Sequence, residues 1–479
     1  MVQPFFILTK MKSEKTFQVR IESLAFEGKG IARIDGKVVF VRNAVPGDLV
    51  EIQLTKNKND YAEARLIKVV EASSERIAPQ CVHFGICGGC SFQNLPYSIQ
   101  LSWKEKIVCE ALQKIGKFDE INIKKVIPSP YEFRYRNKVE LSFGTDIHYL
   151  ENFEPNQAVS PQGNLLLGFH IPERFDKIVD IQNCLLLPEN GNQILNIIRQ
   201  KAKEFGLQAY NLRKHTGFLR NLVIRHSFSS KETLVNLVTT TPQNASETNY
   251  LEWYANDFPT YHLAEHILHT INDTYSPTTT GAVRLIKGTG LLYENLNGIQ
   301  YRISPFSFFQ VNPLQAENLV NKVIEYSEPQ NKIVWDLYSG AGTFSLPLAR
   351  ESKFVFGIES NSEAVDDARL NAELNNIQNI VFYAKDLHSK DITKELLKLE
   401  KPQIVVIDPP RTGLHKNLLK ALINILPPKI VYVSCNPATL ARDLFELKNF
   451  YRLTEIQPVD MFPQTYHIET VSLLELMKG

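Results

Sequence analysis

The chain has 479 residues, 43% of them apolar and 22% charged, with a net charge of +1. That length suits about three domains of ordinary globular protein, and the charge excludes a strongly basic nucleic-acid coat. No stretch approaches the roughly 18 apolar residues of a membrane span, and the apolar patch in the opening MVQPFFILTKMKSEK is too short for a signal peptide, so a cytoplasmic protein with no membrane contact is expected, a monomer by default.

The first elements read as β structure. Phe17–Ile21 alternates, Lys37–Val41 follows the turn pair Asp35-Gly36, Leu49–Leu54 follows Pro46-Gly47-Asp48, and Ala64–Val70 closes the set. Short strands at this spacing predict a small OB-type barrel. Residues 1–70 hold 12 Lys/Arg against 8 Asp/Glu, a mild basic excess that suits an RNA-facing surface and equally a solvated one.

A polar linker leads into Cys81, Cys87 and Cys90, with glycines at 85, 88 and 89. Clustered thiols in a long chain of this kind point to metal or chemistry rather than disulfides. Three thiols need a fourth ligand, and Cys184 is the spare cysteine; zinc with His83 stays open, because spacing alone does not separate zinc from iron–sulfur. A helix is expected over 98–117, with Cys109 as a small buried hydrophobe within it. Residues 124–300 read as mixed strands and helices: strands at Val139–Phe143, Leu222–Arg225 and Leu234–Val238, and a helix over Glu189–Phe205. Arg134, Arg136 and Lys138 would share one strand face, suited to phosphate. The polar stretch 243–280 reads as peripheral elaboration.

From about residue 301 strands and helices alternate. Strands are expected at Ile333–Leu337, Phe354–Ile358, Ile380–Ala384, Ile404–Ile407 and Ile430–Val433, the signature of a doubly wound parallel sheet. The aromatic run Phe306 to Phe309 ends in the amides Gln310 and Asn312, suited to stacking on a base and reading its edge. Asp336-Leu-Tyr338-Ser-Gly340-Ala-Gly342 turns from a strand into a helix. Glu359 ends the second strand and Asp386 follows the third. The loop lacks the G-x-G-x-x-G fingerprint and the P-loop lysine. It fits S-adenosylmethionine, which has no pyrophosphate, with Glu359 on the ribose and Asp386 on the adenine. Asp408-Pro-Pro-Arg411 and Ser434-Cys435-Asn436-Pro437 place a carboxylate and a thiol at the ends of two further strands. Cys435 precedes a helix starting at Pro437, which predicts a thiol of lowered pKa and a nucleophile. Glu469 lies before the final strand as a candidate base, beside the ambiguous His467.

These motifs, in this order, resemble the RNA uracil-5-methyltransferase family. The resemblance implies a multidomain chain: a TRAM domain of OB type over 9–72, a central mixed α+β domain with an iron–sulfur cluster and RNA contacts over 73–300, and a Rossmann-like class I methyltransferase domain over 301–479. It implies Cys435 as nucleophile and Glu469 as base. Gln310, Tyr338, Glu359 and Asp408 would line the S-adenosylmethionine site, joined by Asp336, Gly340 and Asp386 from the loop reading. Cys81, Cys87, Cys90 and Cys184 are similar to the 4Fe–4S site of members that act on 23S ribosomal RNA. Ser339 departs from many relatives, which carry cysteine there. A tRNA uracil-5-methyltransferase, an amino methyltransferase with an Asp-Pro-Pro-Arg motif, and an inactive RNA-binding or assembly protein are the competing readings.

Overall fold

In the computed structural model, residues 16–145, 165–172 and 174–477 are described. The start of the expected first domain, residues 9–15, lies outside them.

The N-terminal unit is a six-stranded sheet in the order Thr16–Arg20, Leu49–Asn57, Tyr61–Glu71, Lys37–Val41, Gly30–Ile34, Ser23–Leu24. Alternate residues (Val39, Val41, Val50, Ile52) turn inward to one apolar core. The Asp35-Gly36 pair closes the tight hairpin, both residues with positive φ (49° and 82°) as a two-residue turn of this hand requires.

The central unit is a seven-stranded sheet, ordered Ala282–Lys287, His266–Ile271, Thr233–Thr239, Leu219–His226, Lys138–Gly144, Leu166–Ile171, Arg174–Asp180. Helices Glu189–Glu204 and Ala245–Asn256 pack on it through Ile194, Leu195, Ile198, Tyr250, Trp253 and Tyr254. The peripheral reading of 243–280 is corrected here. Tyr250, Trp253 and Tyr254 form an i, i+3, i+4 stripe, and His266–Ile271 is a buried strand parallel to Thr233–Thr239. A few large aromatics carry the burial, so average polarity misleads.

The C-terminal sheet runs Ile380–Ala384, Phe354–Glu359, Ile333–Leu337, Ile404–Ile407, Lys429–Ser434, Glu469–Leu476, Tyr451–Val459. The first five strands are parallel and the last two antiparallel. The strand order reverses between Ile333–Leu337 and Ile404–Ile407, and such a switch point opens a crevice at the carboxyl ends. Both faces are covered. Val334, Val355, Val406 and Val431 face one apolar layer, while Trp335, Val405, Ile407 and Tyr432 face the other.

Segments far upstream complete this unit. The hairpin Leu292–Leu296/Ile299–Ile303 enters one layer, and helix Tyr97–Lys114 enters the other through Val108 and Leu112. Ile123 and Ile127 bridge to Ile456 and Val459, so residues 122–127 cover the outer sheet edge. The deepest tie is an ion pair. Lys104 Nζ lies 2.6 Å from Asp460 Oδ1, with both side chains fully buried. The same ammonium donates to Phe462 O at 3.1 Å, and Tyr97 Oη donates to Asp460 Oδ2 at 2.9 Å.

Removing one partner of such a pair strands a buried charge. Lys104→Met is expected to lower the unfolding free energy by about 3–5 kcal/mol, measured by urea denaturation, and adding Asp460→Leu should restore much of that loss. A single-variant loss no larger than that of an exposed Lys→Met control would contradict this account.

Candidate active site

Strand register brings the expected thiol and carboxylates together. Ser434 pairs with Thr470 in the antiparallel ladder, so the next residues out, Cys435 and Glu469, stand opposite each other. Thr470 Oγ1 donates to Ser434 O at 3.1 Å and locks that end. Asp408 follows the adjacent strand, its N–H donating to Leu337 O at 3.2 Å. Asn436 caps the helix Pro437–Leu447 through Ala438 N, and its side-chain amide donates to Arg411 O at 3.1 Å. The thiol loop and the Asp408–Arg411 loop are thereby joined.

The electrostatics differ from the sequence expectation. Burial, then the Glu469 and Asp408 carboxylates, push the Cys435 thiol up to about 12 against the pull of Arg411. The expected lowered pKa is therefore corrected: desolvation and two nearby carboxylates outweigh the helix N-terminus. Burial and Asp336 push Asp408 up to about 7, and burial and Asp408 raise Glu469 well above the usual carboxylate range. Burial, with Arg411, Lys104 and Arg136, brings His467 down to about 4, so its ring is neutral at neutral pH.

The loop after the first strand of this sheet turns sharply, with positive φ at Tyr338 (66°), Gly340 (54°) and Gly342 (91°). Gly340 N donates to Glu359 Oε2 at 3.2 Å, placing the second-strand carboxylate beside the loop. A Cβ at Gly340 would meet nothing within 4 Å, so this side of the loop is open. Asp336 is fully buried and raised to about 7 by burial; Ser345 Oγ donates to its Oδ2. Asp336 Oδ1, Tyr338 Oη and Ser339 Oγ are buried without a hydrogen-bond partner. An open glycine, a carboxylate at the second strand end and orphaned polar atoms suit a polar ligand such as S-adenosylmethionine. Asp386 is exposed beyond the third strand, its Oδ1 accepting from His388 N at 2.8 Å.

The aromatic run divides differently from expectation. Phe309 is buried against Tyr301, ring centroids 5.4 Å apart, and Asn312 is buried, donating to Ser129 Oγ and Met461 O. Both serve the core and the helix cap rather than a base. Gln310 is half-buried, and Phe308, which sequence reasoning passed over, is 71% exposed. Nothing in a run of three phenylalanines marks the one that turns outward.

Sequence reasoning also missed what holds the Glu469 loop. Gln464 and Gln100 exchange two hydrogen bonds, at 2.9 and 3.0 Å. Ser91 N and Phe92 N both donate to Gln464 O, Tyr466 N donates to Ser91 Oγ, and Tyr135 Oη donates to Pro463 O. Phe26 of the N-terminal unit packs edge-on to Tyr466 at 5.5 Å. These partners lie more than 300 residues away along the chain, and no local pattern pairs them.

Cys81, Cys87, Cys90 and Cys184 line one cavity of about 1070 Å³, shared with Arg136, Lys138, Phe308 and Phe309. Burial, then the neighbouring cysteines, push Cys87 up to about 12 against an N–H bond from Gly89 at 3.4 Å to its Sγ. His83 Nε2 accepts from Gln182 N at 3.2 Å. Among the described residues no group of three or more His, Cys, Asp or Glu side chains is placed to hold a metal ion, the expected cysteine site included. Arg134 departs from the expected phosphate row. Its backbone has φ 58°, its guanidinium donates to Cys184 O and Leu187 O, and the strand begins only at Lys138.

Residues 291–477 match the family described as tRNA (uracil-5-)-methyltransferase, and residues 12–67 match the TRAM domain. An RNA methyltransferase of Bacteroides thetaiotaomicron, named as uncharacterized, is 39% identical over 95% of this chain and all of its own length. A second, from Chlorobaculum tepidum and named likewise, is 40% identical over 90% of this chain and 89% of its own. The crystal structure of Pyrococcus abyssi tRNA (uracil-54, C5)-methyltransferase with S-adenosyl-L-homocysteine aligns with a TM-score of 0.72 and 31% identity, covering 96% of this chain and all of that one.

If carboxylate charge holds the Cys435 proton, Glu469→Gln and Asp408→Asn should each lower the thiol pKa. Iodoacetamide alkylation of Cys435, followed by mass spectrometry from pH 7 to 11, should then become faster at a given pH than in the parent protein. Unchanged profiles in both variants would leave burial as the sole cause.

Proposed function

This chain belongs to the RNA uracil-5-methyltransferase family, and we propose that it methylates carbon 5 of a uridine in 23S ribosomal RNA through a covalent bond between Cys435 and carbon 6 of the base. The observation that carries the mechanism is the register that stands Cys435 opposite Glu469, with Asp408 on the neighbouring strand end.

Carbon 5 of uracil is a poor nucleophile. Cys435 loses its thiol proton to solvent, its sulfur adds to carbon 6, and the ring electrons move into an enolate that makes carbon 5 electron-rich. S-adenosylmethionine would supply the electrophilic methyl group at this point, its methyl–sulfur bond breaking as the carbon 5–methyl bond forms, with S-adenosylhomocysteine as the leaving group. Glu469 then takes the proton from carbon 5, the electron pair re-forms the ring double bond, and the carbon–sulfur bond breaks to release Cys435. The raised proton affinity of Glu469 suits a base that must hold a proton until product leaves. The high pKa of Cys435 favours bond formation once the proton is lost, and Arg411 is the cation that offsets the negative charge. Asp408 and Gln310 hold the uracil edge. Glu359 and Asp386 bind the cofactor's ribose and adenine; Tyr338, Asp336 and Gly340 shape its loop. Because the reacting face is covered in stacked RNA, the uridine is flipped out.

We assign a 4Fe–4S cluster to Cys81, Cys87, Cys90 and Cys184, in a role that shapes the RNA-binding surface of a monomeric enzyme. Four thiols on one cavity, with backbone N–H groups near them, suit a cluster wider than a single ion. Zinc is the alternative, distinguished by metal and sulfide analysis of anaerobically purified protein. The TRAM domain and the four cysteines favour ribosomal RNA. The Pyrococcus enzyme's tRNA activity, over an alignment of nearly the whole chain, favours tRNA as the second reading.

Two measurements test this. Tritium should be released from carbon 5 of labelled uracil in ribosomal RNA and not in tRNA, and Cys435→Ala should abolish it; release from tRNA alone would exchange the substrate, and persistence in Cys435→Ala would overturn the covalent step. Cys87→Ser should lose the cluster's brown absorbance and weaken RNA binding about tenfold or more, leaving S-adenosylmethionine affinity unchanged, whereas retained RNA binding would remove the cluster's proposed role.

A further inference from the structure

The cysteine cavity does not end at the cysteines. Phe308, Phe309 and Val311 line one part of it, and His170, Leu212 and Pro277 another. His170, Leu212 and Pro277 also line a second, smaller cavity of about 110 Å³, together with Asp176, Tyr210, Arg213 and Arg220. The two form one trough leading away from the motif that carries Phe308 and Gln310.

The outer lip of the trough is built from two loops, both held rigid. In the first, Asn211 Oδ1 accepts from Arg213 N at 2.9 Å and Lys214 N at 3.0 Å, and Asn211 N donates to Thr216 O at 2.7 Å. His215 takes a positive φ of 55°. This tight turn presents Arg213, Lys214 and His215 together, all exposed. In the second loop the buried Arg220 donates to Asn272 O at 2.9 Å, to Thr274 O at 2.7 Å and to Ser276 O. Its guanidinium also lies 4.3 Å from the centroid of the Tyr210 ring. Three carbonyls pinned around Tyr275 leave that side chain pointing outward.

Tyr275 is 73% exposed, more than any other large apolar side chain among the described residues. Its ring meets His215 at 4.3 Å between centroids, and His215 Nδ1 lies 3.3 Å from Tyr210 Oη. An aromatic ring held out by a loop pinned through Arg220, and packed on His215 of the turn that also carries Arg213 and Lys214, has the form of a base-stacking platform with phosphate ligands. A duplex hides its base faces, and only a splayed single strand offers them. Asp176, 2.9 Å from Arg213, fixes the direction of that guanidinium.

We propose that Tyr275 and His215, with Arg213 and Lys214, form a capture site for a single-stranded nucleotide on the same RNA as the target uridine. This rests on the reading of the chain as an RNA methyltransferase. The site lies outside the reacting centre and sets which flanking RNA is held.

The test uses the full-length protein and the variants Tyr275→Ala and Arg213→Ala/Lys214→Ala. All three side chains are exposed, so folding is preserved; circular dichroism and S-adenosylmethionine affinity check it. Binding of a fluorescent 20-residue oligouridylate is read by anisotropy across a salt series (~20 nucleotides spans several site sizes). Tyr275→Ala should weaken binding roughly tenfold, and the double charge variant should also lower the salt slope by about two. The KM for ribosomal RNA in tritium release should rise by a similar factor. Affinity and KM equal to the parent in both variants would overturn the site. An equal loss of binding to a duplex of the same length would overturn its single-strand character. If the parent releases no tritium from any RNA, the methyltransferase reading fails, and the oligouridylate measurement still decides the platform.

Discussion

The buried Lys104–Asp460 pair is the contact on which the rest of the catalytic architecture depends. It joins helix Tyr97–Lys114 to the turn between the two antiparallel strands that finish the sheet. An ion pair out of water is tolerable only when its remaining hydrogen bonds are met, and here Tyr97 and Phe462 O meet them. The same turn runs on through Gln464 and Tyr466 to Glu469. The carboxylate opposite Cys435 is therefore positioned from outside its own domain, by the helix, the cysteine loop and the N-terminal sheet. This gives the three units a common reference point. Neither the cysteine loop nor the N-terminal sheet can shift without moving the segment that ends in Glu469.

Within the crevice, burial governs chemistry more than any single neighbour. Asp336 and Glu469 are buried and Asp408 half-buried near them, and each holds its proton more tightly than a free carboxyl. Cys435 shares their field and is raised with them. A thiol at a helix N-terminus is commonly activated, yet the local charge balance here reverses that tendency. Arg411, on the loop tied to Asn436, is the positive counterweight.

The central unit is shaped by arginines that reach backbone carbonyls. Lys138 at the start of one of its strands lines the cavity with Arg136 and Cys184 from the flanking loops, and Arg134 anchors the Cys184 loop by its carbonyls. Buried Arg220 holds the Tyr275 loop in the same manner. Arginines committed to backbone carbonyls shape this surface.

Much was legible from the sequence because it depended on short-range order. The strands Ile333–Leu337, Ile380–Ala384 and Ile404–Ile407 coincide with their apolar β-branched runs, and the helix beginning at Pro437 follows its cap. The loop glycines and the motif ends also declare themselves, since positive φ and strand termini leave local marks. Tertiary structure decided what burial and long-range pairing control. Phe308 rather than Phe309 faces outward, Arg134 turns to a carbonyl, and residues 243–280 join the core. The Cys435 thiol is raised rather than lowered, because burial and then carboxylates arriving from other strands disfavour its charge. The sequence by itself determined the order of elements and which motifs stand at the strand ends. Only the folded chain decided the protonation and support of the groups there, because protonation depends on burial and on carboxylates from other strands, and support on partners more than 300 residues distant.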